Sequence, residues 1–180
     1  MQGRSLTEYV VLGSLIAAPR HGYEIKQFLG STLESTLRVS TSQLYALLKR
    51  LEQERLLQGN LETQETRPSR RVLTLTDEGK AIFTDWLHRP TIHVRDFRME
   101  FMTKLFFFFH YSMPGADKLV DSEIGLIKAR MEEIRSQSEK NTDPFKTLVF
   151  EYKIQMIEGI HSWLSTKALY FARRFQIDGD

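Results

Sequence analysis

The side chains best suited to chemistry in this sequence are polar and cationic groups on one short segment. Ser42, Gln43 and Ala46 come first, and Lys49 and Arg50 follow one to two helical turns later. A helix that enters a DNA major groove needs small or polar side chains toward the bases and cations toward the phosphates. The segment fits that chemistry. A solvated surface helix is the alternative that its composition leaves open.

A second cationic cluster surrounds Pro68. Arg67, Arg70 and Arg71 lie within five residues, and we expect them at the tip of a β-hairpin. Arginines on a protruding hairpin can grip phosphates or enter a minor groove. A solvated turn is the plainer interpretation of such a cluster. Its position after the polar-faced segment favours DNA, because that is where a winged helix-turn-helix carries its wing.

Residues for other kinds of chemistry do not form a site. The chain has 180 residues and no cysteine, so thiolate sites are excluded. Its net charge of +2 is too small to indicate a nucleic-acid partner by itself. The five histidines lack metal-binding spacing, and the sequence contains no glycine-rich phosphate loop or nucleophile elbow. We therefore expect no enzyme activity, no cofactor and no metal.

The elements that must position the cations follow the order of a winged helix-turn-helix. Leu44, Leu47, Leu48 and Leu51 recur at helical spacing and predict a buried face behind the polar one. Turn residues and helix starts divide this half of the chain further. The expected helices are Leu6–Ala18, Gly22 to about Leu33, Thr41 to about Leu56 and one that starts at Thr76 and stops before Pro90, with strands Leu57–Thr66 and Arg70–Thr76 around a turn at Arg67–Ser69.

The second half has no strand signals and long helical periodicity, so the predicted fold class is mostly α with a small β-hairpin wing. We expect helices Arg95–Ser112, Gly115–Lys140 and Pro144–Phe175, and domains at 1–90 and 91–180. The last two helices carry apolar seams, and a helix that is apolar on two sides needs two neighbours. A second copy of the chain is the natural second neighbour. The expected dimer contacts are Val120, Ile124, Ile127, Met131, Val149, Met156, Ile160 and Trp163.

Several blocks of residues, in order, resemble the PadR family of bacterial regulators. They are LTEY at Leu6–Tyr9, HGYEI at His21–Ile25, LYALLKRLE at Leu44–Glu52 and RRVLTLTDEGK at Arg70–Lys80. The resemblance implies that Tyr45 and Lys49 contact the DNA backbone, with Ser42, Gln43 and Ala46 nearest the groove. Residues 95–175 are similar to the longer C-terminal region of the subfamily that contains phenolic-acid repressors and a virulence activator.

Two positions depart from that family pattern. Ser42 stands where the family usually has glycine, and Arg55 stands where a glycine usually ends the third helix. A non-glycine residue is strained in the left-handed conformation that closes a helix. We therefore expect Arg55 to need a different helix ending.

These observations predict a DNA-binding transcriptional regulator that meets a two-fold symmetric operator as a homodimer, with repression as the default role. The resemblance also implies a small aromatic effector. We expect most of the aromatic cluster around Phe97 and Phe101 to be core and dimer interface. The alternative is that part of it lines an apolar pocket for this effector between the two domains, with Tyr9, Trp86, Phe97 and Phe101 as candidates. We expect no membrane contact and a cytoplasmic location, since neither a signal peptide nor a spanning segment is recognisable. The main alternative is a winged-helix scaffold for protein contacts that does not bind DNA.

Overall fold

The computed structural model describes residues 4–32, 39–64 and 67–177. The chain divides into two compact units, Met1–Leu87 and His88–Asp180. The first is a winged helix-turn-helix with a small antiparallel sheet, and the second is helical. The predicted fold class is confirmed. In the described part of the chain, no helix combines the length and hydropathy needed to cross a bilayer.

The first unit begins with three helices, α1 (Leu6–Ser14), α2 (Gly22–Thr32) and α3 (Thr41–Gln53). Their inward side chains are almost fully buried, among them Val10, Leu12, Ile25, Leu44 and Leu51. The expected end of α1 at Ala18 is wrong. The chain must be extended by Arg20 to form a short strand, β1 (Arg20–His21), which the sequence patterns do not indicate.

The sheet has the order β1-β3-β2, where β2 is Leu57–Gln64 and β3 is Arg67–Leu75. The pairing runs from Leu57 opposite Leu75 to Gln64 opposite Arg67. The predicted turn at Arg67–Ser69 is therefore wrong, because those residues belong to β3. The register shifts by one residue beside Pro68. A strand accepts proline at such a bulge, where no ladder hydrogen bond is lost.

Helix α3 ends in a left-handed residue although that residue is not glycine. Arg55 has φ of 59°. The Leu56 N–H donates to the Leu51 carbonyl at 2.9 Å, and the Arg55 N–H donates to the Glu52 carbonyl at 2.9 Å. These two bonds form the Schellman ending. The expectation that Arg55 needs a different ending is wrong, since these hydrogen bonds and the burial of Leu51 and Leu56 retain the left-handed one.

This helix ending also holds the start of α4 (Asp77–His88). The Thr76 hydroxyl donates to the Arg55 carbonyl at 2.8 Å and accepts from the Gly79 N–H at 3.1 Å. A side chain at Gly79 would overlap the Leu56 carbonyl. Residues 54–56 and 76–79 therefore form one hydrogen-bonded junction that fixes α3, the sheet and α4 relative to one another.

The second unit contains a 3₁₀ turn (Val94–Asp96) and helices α5 (Phe97–His110), α6 (Ala116–Glu139) and α7 (Pro144–Trp163). Asp143 caps α7 through its Oδ1, which accepts the N–H groups of Phe145 and Lys146 at 2.9 and 3.0 Å. A π-helical turn (Leu164–Ala168) joins α7 to α8 (Leu169–Ile177), so the single helix predicted there is interrupted. The core of the second unit includes Phe101, Phe107, Phe108, Leu119, Ile157 and Leu164.

A buried polar cluster lies inside the second unit. Lys104 is fully buried, and its Nζ donates to the Arg89 carbonyl at 2.8 Å and to Glu100 at 2.5 Å. Glu123 is also buried and accepts the Thr91 N–H at 2.8 Å. Side chains of α5 and α6 thus hold the backbone of residues 89–91, which follow the end of α4.

Candidate nucleic-acid interface

Helix α3 exposes the side chains that the sequence singled out. Leu44, Leu48 and Leu51 are buried on one side of α3. The opposite side is open to solvent and carries Ser42, Gln43, Tyr45, Ala46 and Lys49. The leucine periodicity forces this division, because side chains three and four residues apart share one face of a helix.

A capping box fixes the N-terminus of α3. Ser40 is the N-cap, and its hydroxyl accepts the Gln43 N–H at 3.3 Å. In return, the Gln43 side-chain Oε1 accepts the Ser40 N–H at 3.0 Å. The Nε2 group of Gln43 is therefore the part of this amide that can donate to a base or a phosphate.

Lys49 and Arg50 differ in their partners. Arg50 forms an ion pair with Glu8 of α1 at 2.7 Å and a longer one with Glu54 at 3.7 Å. Burial alone would raise the pKa of Glu8, but hydrogen bonds from Ser5 and Arg4 and the charge of Arg50 lower it overall. Arg50 therefore ties α3 to α1 while its side chain remains 53% exposed, and its role as a DNA contact stays a prediction. Within the described residues, Lys49 forms no ion pair.

The three wing arginines lie at different positions along the hairpin. Arg67 and Arg70 lie on β3 close to the tip of the hairpin, and their side chains fall outside the described part of the structure. Arg71 lies midway along the wing, opposite Leu61, with its side chain 61% exposed and its guanidinium 2.7 Å from Glu52 of α3. The wing-tip interpretation is therefore wrong for Arg71, which stands beside the candidate recognition helix.

The start of α2 brings further side chains to the same surface. His21 stacks on Tyr23 with ring centroids 5.7 Å apart, and its Nδ1 lies 3.1 Å from the Arg71 carbonyl oxygen. Tyr23 is half exposed. Sequence reasoning treated this segment only as a helix start. No periodic pattern separates these two rings from core residues, and the place of His21 depends on the pairing of β1 with β3.

Helix α7 presents an apolar stripe to solvent. Its side chains recur at three- and four-residue spacing, which places them on one face. Phe145 is 72% exposed, Leu148 60%, Tyr152 66% and Met156 39%. Val149, Ile160 and Trp163 complete the face and are partly buried. We call this set the α7 stripe. Phe145, Leu148 and Tyr152 were absent from the expected dimer contacts.

The other expected dimer contacts divide according to their burial. Ile124 and Met131 of α6 are partly exposed. Val120 and Ile127 are almost fully buried within the chain itself, so they are core residues and not dimer contacts. Trp163 approaches the rings of Phe97 and Phe101 edge-on, with centroids 6.4 and 6.3 Å away. This contact within the chain accounts for part of its burial.

The four residues expected to bind an effector form two stacked pairs. Tyr9 stacks on Trp86 at 4.5 Å within the first unit, and Phe97 stacks on Phe101 at 4.7 Å within the second. Phe97, Phe101 and Trp86 are buried. Packing explains each pair by itself, and their role in binding an effector stays a prediction.

Comparisons with known proteins point to one family. Residues 11–85 match the model of the transcriptional regulator PadR-like family. The negative transcriptional regulator PadR of Bacillus subtilis (strain 168) is 29% identical over 133 residues, which are 74% of this chain and 73% of that protein.

Two solved structures are also similar. Bacillus subtilis PadR in complex with operator DNA has a TM-score of 0.49 and 26% identity, covering 93% of this chain and 98% of that one. A PadR family transcription regulator from hypervirulent Clostridium difficile R20291 has a TM-score of 0.41 and 21% identity, covering 57% and 95%.

Proposed function

We propose that the chain is a transcriptional regulator of the PadR-like family, whose model matches residues 11–85, and that it acts by binding operator DNA through α3 and the β2–β3 wing. One observation carries this proposal. The outward face of α3 combines small and polar side chains near its N-terminus with Tyr45 and Lys49 one turn later, all open to solvent.

In this mechanism two groups of side chains on the α3 face have different roles. Ser42, Gln43 and Ala46 face the base edges and read sequence, whereas Tyr45 and Lys49 bind the backbone and fix the register. Phosphate neutralisation by Lys49 and the wing arginines supplies most of the affinity, which therefore falls as salt rises. The free N–H groups at the start of α3 can accept a further phosphate.

Repression is the proposed direction of control. The Bacillus subtilis relative is named a negative transcriptional regulator and resembles this chain over about three quarters of its length. A protein that occupies an operator beside a promoter excludes polymerase by occupancy alone, and this needs no catalytic residue. Equilibrium binding is therefore sufficient for the function.

The proposed active form is a homodimer paired through the α7 stripe. Exposed aromatic and large apolar side chains along one helix are typical of a protein interface. A two-fold dimer presents two α3 helices to two half-sites, about one helical turn of DNA or a multiple of it apart. An operator with inverted symmetry follows from that arrangement.

A small aromatic effector that releases the DNA is a further part of the proposal. Its support is the resemblance of residues 95–175 to regulators that respond to phenolic acids. Aromatic acids that bind the folded protein should raise its melting temperature, and the rise should continue as their concentration increases above the dissociation constant. A panel of such acids that leaves the melting temperature unchanged removes the effector from the proposal.

Selection from a pool of genomic fragments at graded salt tests the DNA-binding function. We expect enrichment of fragments with an inverted repeat and weaker retention by Lys49→Ala. Lys118→Ala, which removes an exposed cation of α6, is the matched control and should bind like the wild type. Protein that retains no duplex even at about 50 mM salt, but co-purifies with a stable protein partner, would support the scaffold alternative instead.

A further inference from the structure

Four charged side chains form a closed ring between the start of α1 and the end of α3. Arg4 precedes α1, and Glu8 lies in its first turn. Arg50 lies in the last turn of α3, and Glu54 is its C-cap. Arg4 Nη1 contacts Glu8 at 3.1 Å and Glu54 at 2.6 Å. Arg50 contacts the same two carboxylates, at 2.7 Å through Nη2 and at 3.7 Å through Nε. Positive and negative groups therefore alternate, and we call this set the α1–α3 ring.

Glu8 is the most buried member of the α1–α3 ring. Its side chain is 10% exposed, against 53% for Arg50. Its Oε1 accepts the Ser5 N–H at 3.3 Å and the Ser5 hydroxyl at 3.1 Å, as part of the capping box of α1. Burial acts to raise the pKa of Glu8, but these hydrogen bonds, the Arg4 contact and the charge of Arg50 together lower it. Glu8 is therefore an ionised carboxylate that α1 holds in place.

Arg50 is the member of the ring that another anion can draw away. More than half of its side chain is exposed, and an ion pair that is open to water is weak. A phosphate group competes well for a guanidinium, because it accepts two N–H donors at once. Lys49 stands beside Arg50 and forms no ion pair within the described residues. Lys49 can thus bind a phosphate directly, whereas Arg50 must first leave Glu8.

We propose that Glu8 is an internal competitor of DNA for Arg50, and that it limits the affinity of the protein for duplexes of any sequence. This inference rests on the proposed function and deepens it. Sequence-independent affinity grows with the number of phosphates that the protein neutralises. A cation that is held by a carboxylate of its own chain adds less to that number. The consequence is weaker retention by the large excess of DNA that contains no operator.

Glu8→Gln removes the competing charge and keeps the start of α1, because glutamine closes the same capping box. Titration of a synthetic duplex of random sequence over a salt series is the measurement. Affinity should rise about three- to tenfold per bound chain at about 0.15 M salt, as for one added phosphate contact. The slope of log affinity against log salt should steepen by up to about one per bound chain. A purely structural role of Glu8 predicts the opposite sign, since a damaged first unit binds less DNA.

Glu139→Gln is the matched control for the change in net charge. Glu139 is an exposed carboxylate at the end of α6, in the second unit. Its substitution removes the same charge but leaves the α1–α3 ring intact. The affinity for the random duplex and its salt slope should therefore equal those of the wild type.

Arg50→Ala tests whether Glu8 acts through Arg50. With Glu8 present, Arg50→Ala should weaken binding of the random duplex less than Lys49→Ala does, because Glu8 already holds the guanidinium. In the Arg50→Ala background, Glu8→Gln should no longer raise affinity, and the double-mutant cycle measures this coupling. The comparison of Arg50→Ala with Lys49→Ala needs no substitution at Glu8, so it decides the question even if Glu8→Gln does not fold.

The outcomes separate this inference from the proposed function. Wild-type protein that binds no DNA overturns the proposed function and the inference together. If the wild type binds DNA, equal or weaker binding by folded Glu8→Gln overturns the competitor role alone. A rise that persists in the Arg50→Ala background also overturns it, because the carboxylate would then act on DNA directly. Loss of affinity in Arg50→Ala as large as in Lys49→Ala has the same consequence, since Arg50 would then reach phosphate despite Glu8.

Discussion

At the scale of single residues, Gln43 uses different atoms of one amide for two tasks. Its Oε1 closes the capping box at 3.0 Å from the Ser40 N–H, and its Nε2 remains a donor on the exposed face of α3. A glutamine that recognises adenine forms two hydrogen bonds with it: the amide nitrogen donates to the adenine N7, and the amide oxygen accepts from the adenine amino group. With the oxygen held by the cap, Gln43 favours an acceptor such as guanine or a phosphate.

Substitution Gln43→Glu separates these tasks. Glutamate can take the same place in a capping box, and its charge suits a helix N-terminus, so the melting temperature should stay equal or rise. Operator affinity should fall at least about tenfold, because the donor is lost and a carboxylate faces phosphates. The measurements are thermal melting and DNA titration. Gln155→Glu on α7 controls for net charge, and equal loss in both variants would contradict a local role.

Glu123 is a buried carboxylic acid whose protonation should make the stability of the fold depend on pH. Burial raises its pKa to about 7, against the lowering effects of its hydrogen bond from Thr91 and of the charge of Lys104. Glu100 already neutralises Lys104 at 2.5 Å. An ionised Glu123 therefore adds an unbalanced charge to this buried cluster, and the folded protein holds the proton to a higher pH than the unfolded chain.

The sign of the pH dependence follows from that shift. A pKa raised on folding gives stability that is present below the unfolded value of 4.5 and is lost as pH rises toward about 7. Relative to wild type, Glu123→Gln should therefore gain stability across that window, by on the order of 2 kcal/mol. Denaturant unfolding of both proteins at several pH values measures the difference. A difference that is flat with pH would show that Glu123 ionises normally.

At the scale of elements, the junction between α3, β2 and α4 keeps strain in one residue. Arg55 holds the left-handed conformation at φ of 59°, while its carbonyl accepts the Thr76 hydroxyl at 2.8 Å. Leu56 and Leu51 are both buried beneath it. The packing of this junction stabilises the fold by more than the strain at Arg55 costs. Arg55 therefore keeps a positive φ although a non-glycine residue prefers a negative one.

Removal of the Arg55 strain should stabilise the first unit. Arg55→Gly should raise the free energy of unfolding by about 0.5–1 kcal/mol, since glycine adopts this conformation without a Cβ clash. Arg55→Ala loses the same side chain but keeps the clash, so it is the matched control and should not stabilise. Denaturant melts of the three proteins give the comparison. Equal stability of the glycine and alanine variants would mean that the residue carries no strain.

The comparison of sequence with structure shows which elements local patterns determine. The leucines of α3 and the Asp143-Pro144 start of α7 give local signals, and both helices lie near where the patterns place them. The short strand β1 and the strand position of Pro68 depend on pairing with distant residues, which periodicity does not record. The place of Arg71 likewise depends on Glu52, nineteen residues away in the chain.

At the scale of the whole molecule, the α7 stripe is the surface through which we propose that two chains pair. Phe145 and Trp163 mark its ends, and a helix of that length spans about 27 Å. Gly159 lies on the same face, and a Cβ added there would meet no atom within 4 Å, so a second helix can approach closely. The buried face of α7 includes Ile157, which is occupied by packing within the chain. The exposed face is therefore the one available to the proposed second copy.

Charges placed on the α7 stripe should produce folded monomers. Tyr152→Asp and Met156→Asp change side chains that are 66% and 39% exposed in one chain, so the protomer should still fold. Ser162→Asp is the control on the same helix, about 100° around the axis from Trp163. Light scattering should give monomers for the first two variants and dimers for the third.

Operator affinity should fall about a hundredfold or more in the monomers, because linked half-sites bind with avidity. Dimers that survive both stripe charges would place the interface elsewhere, for example on the partly exposed Ile124 and Met131 of α6.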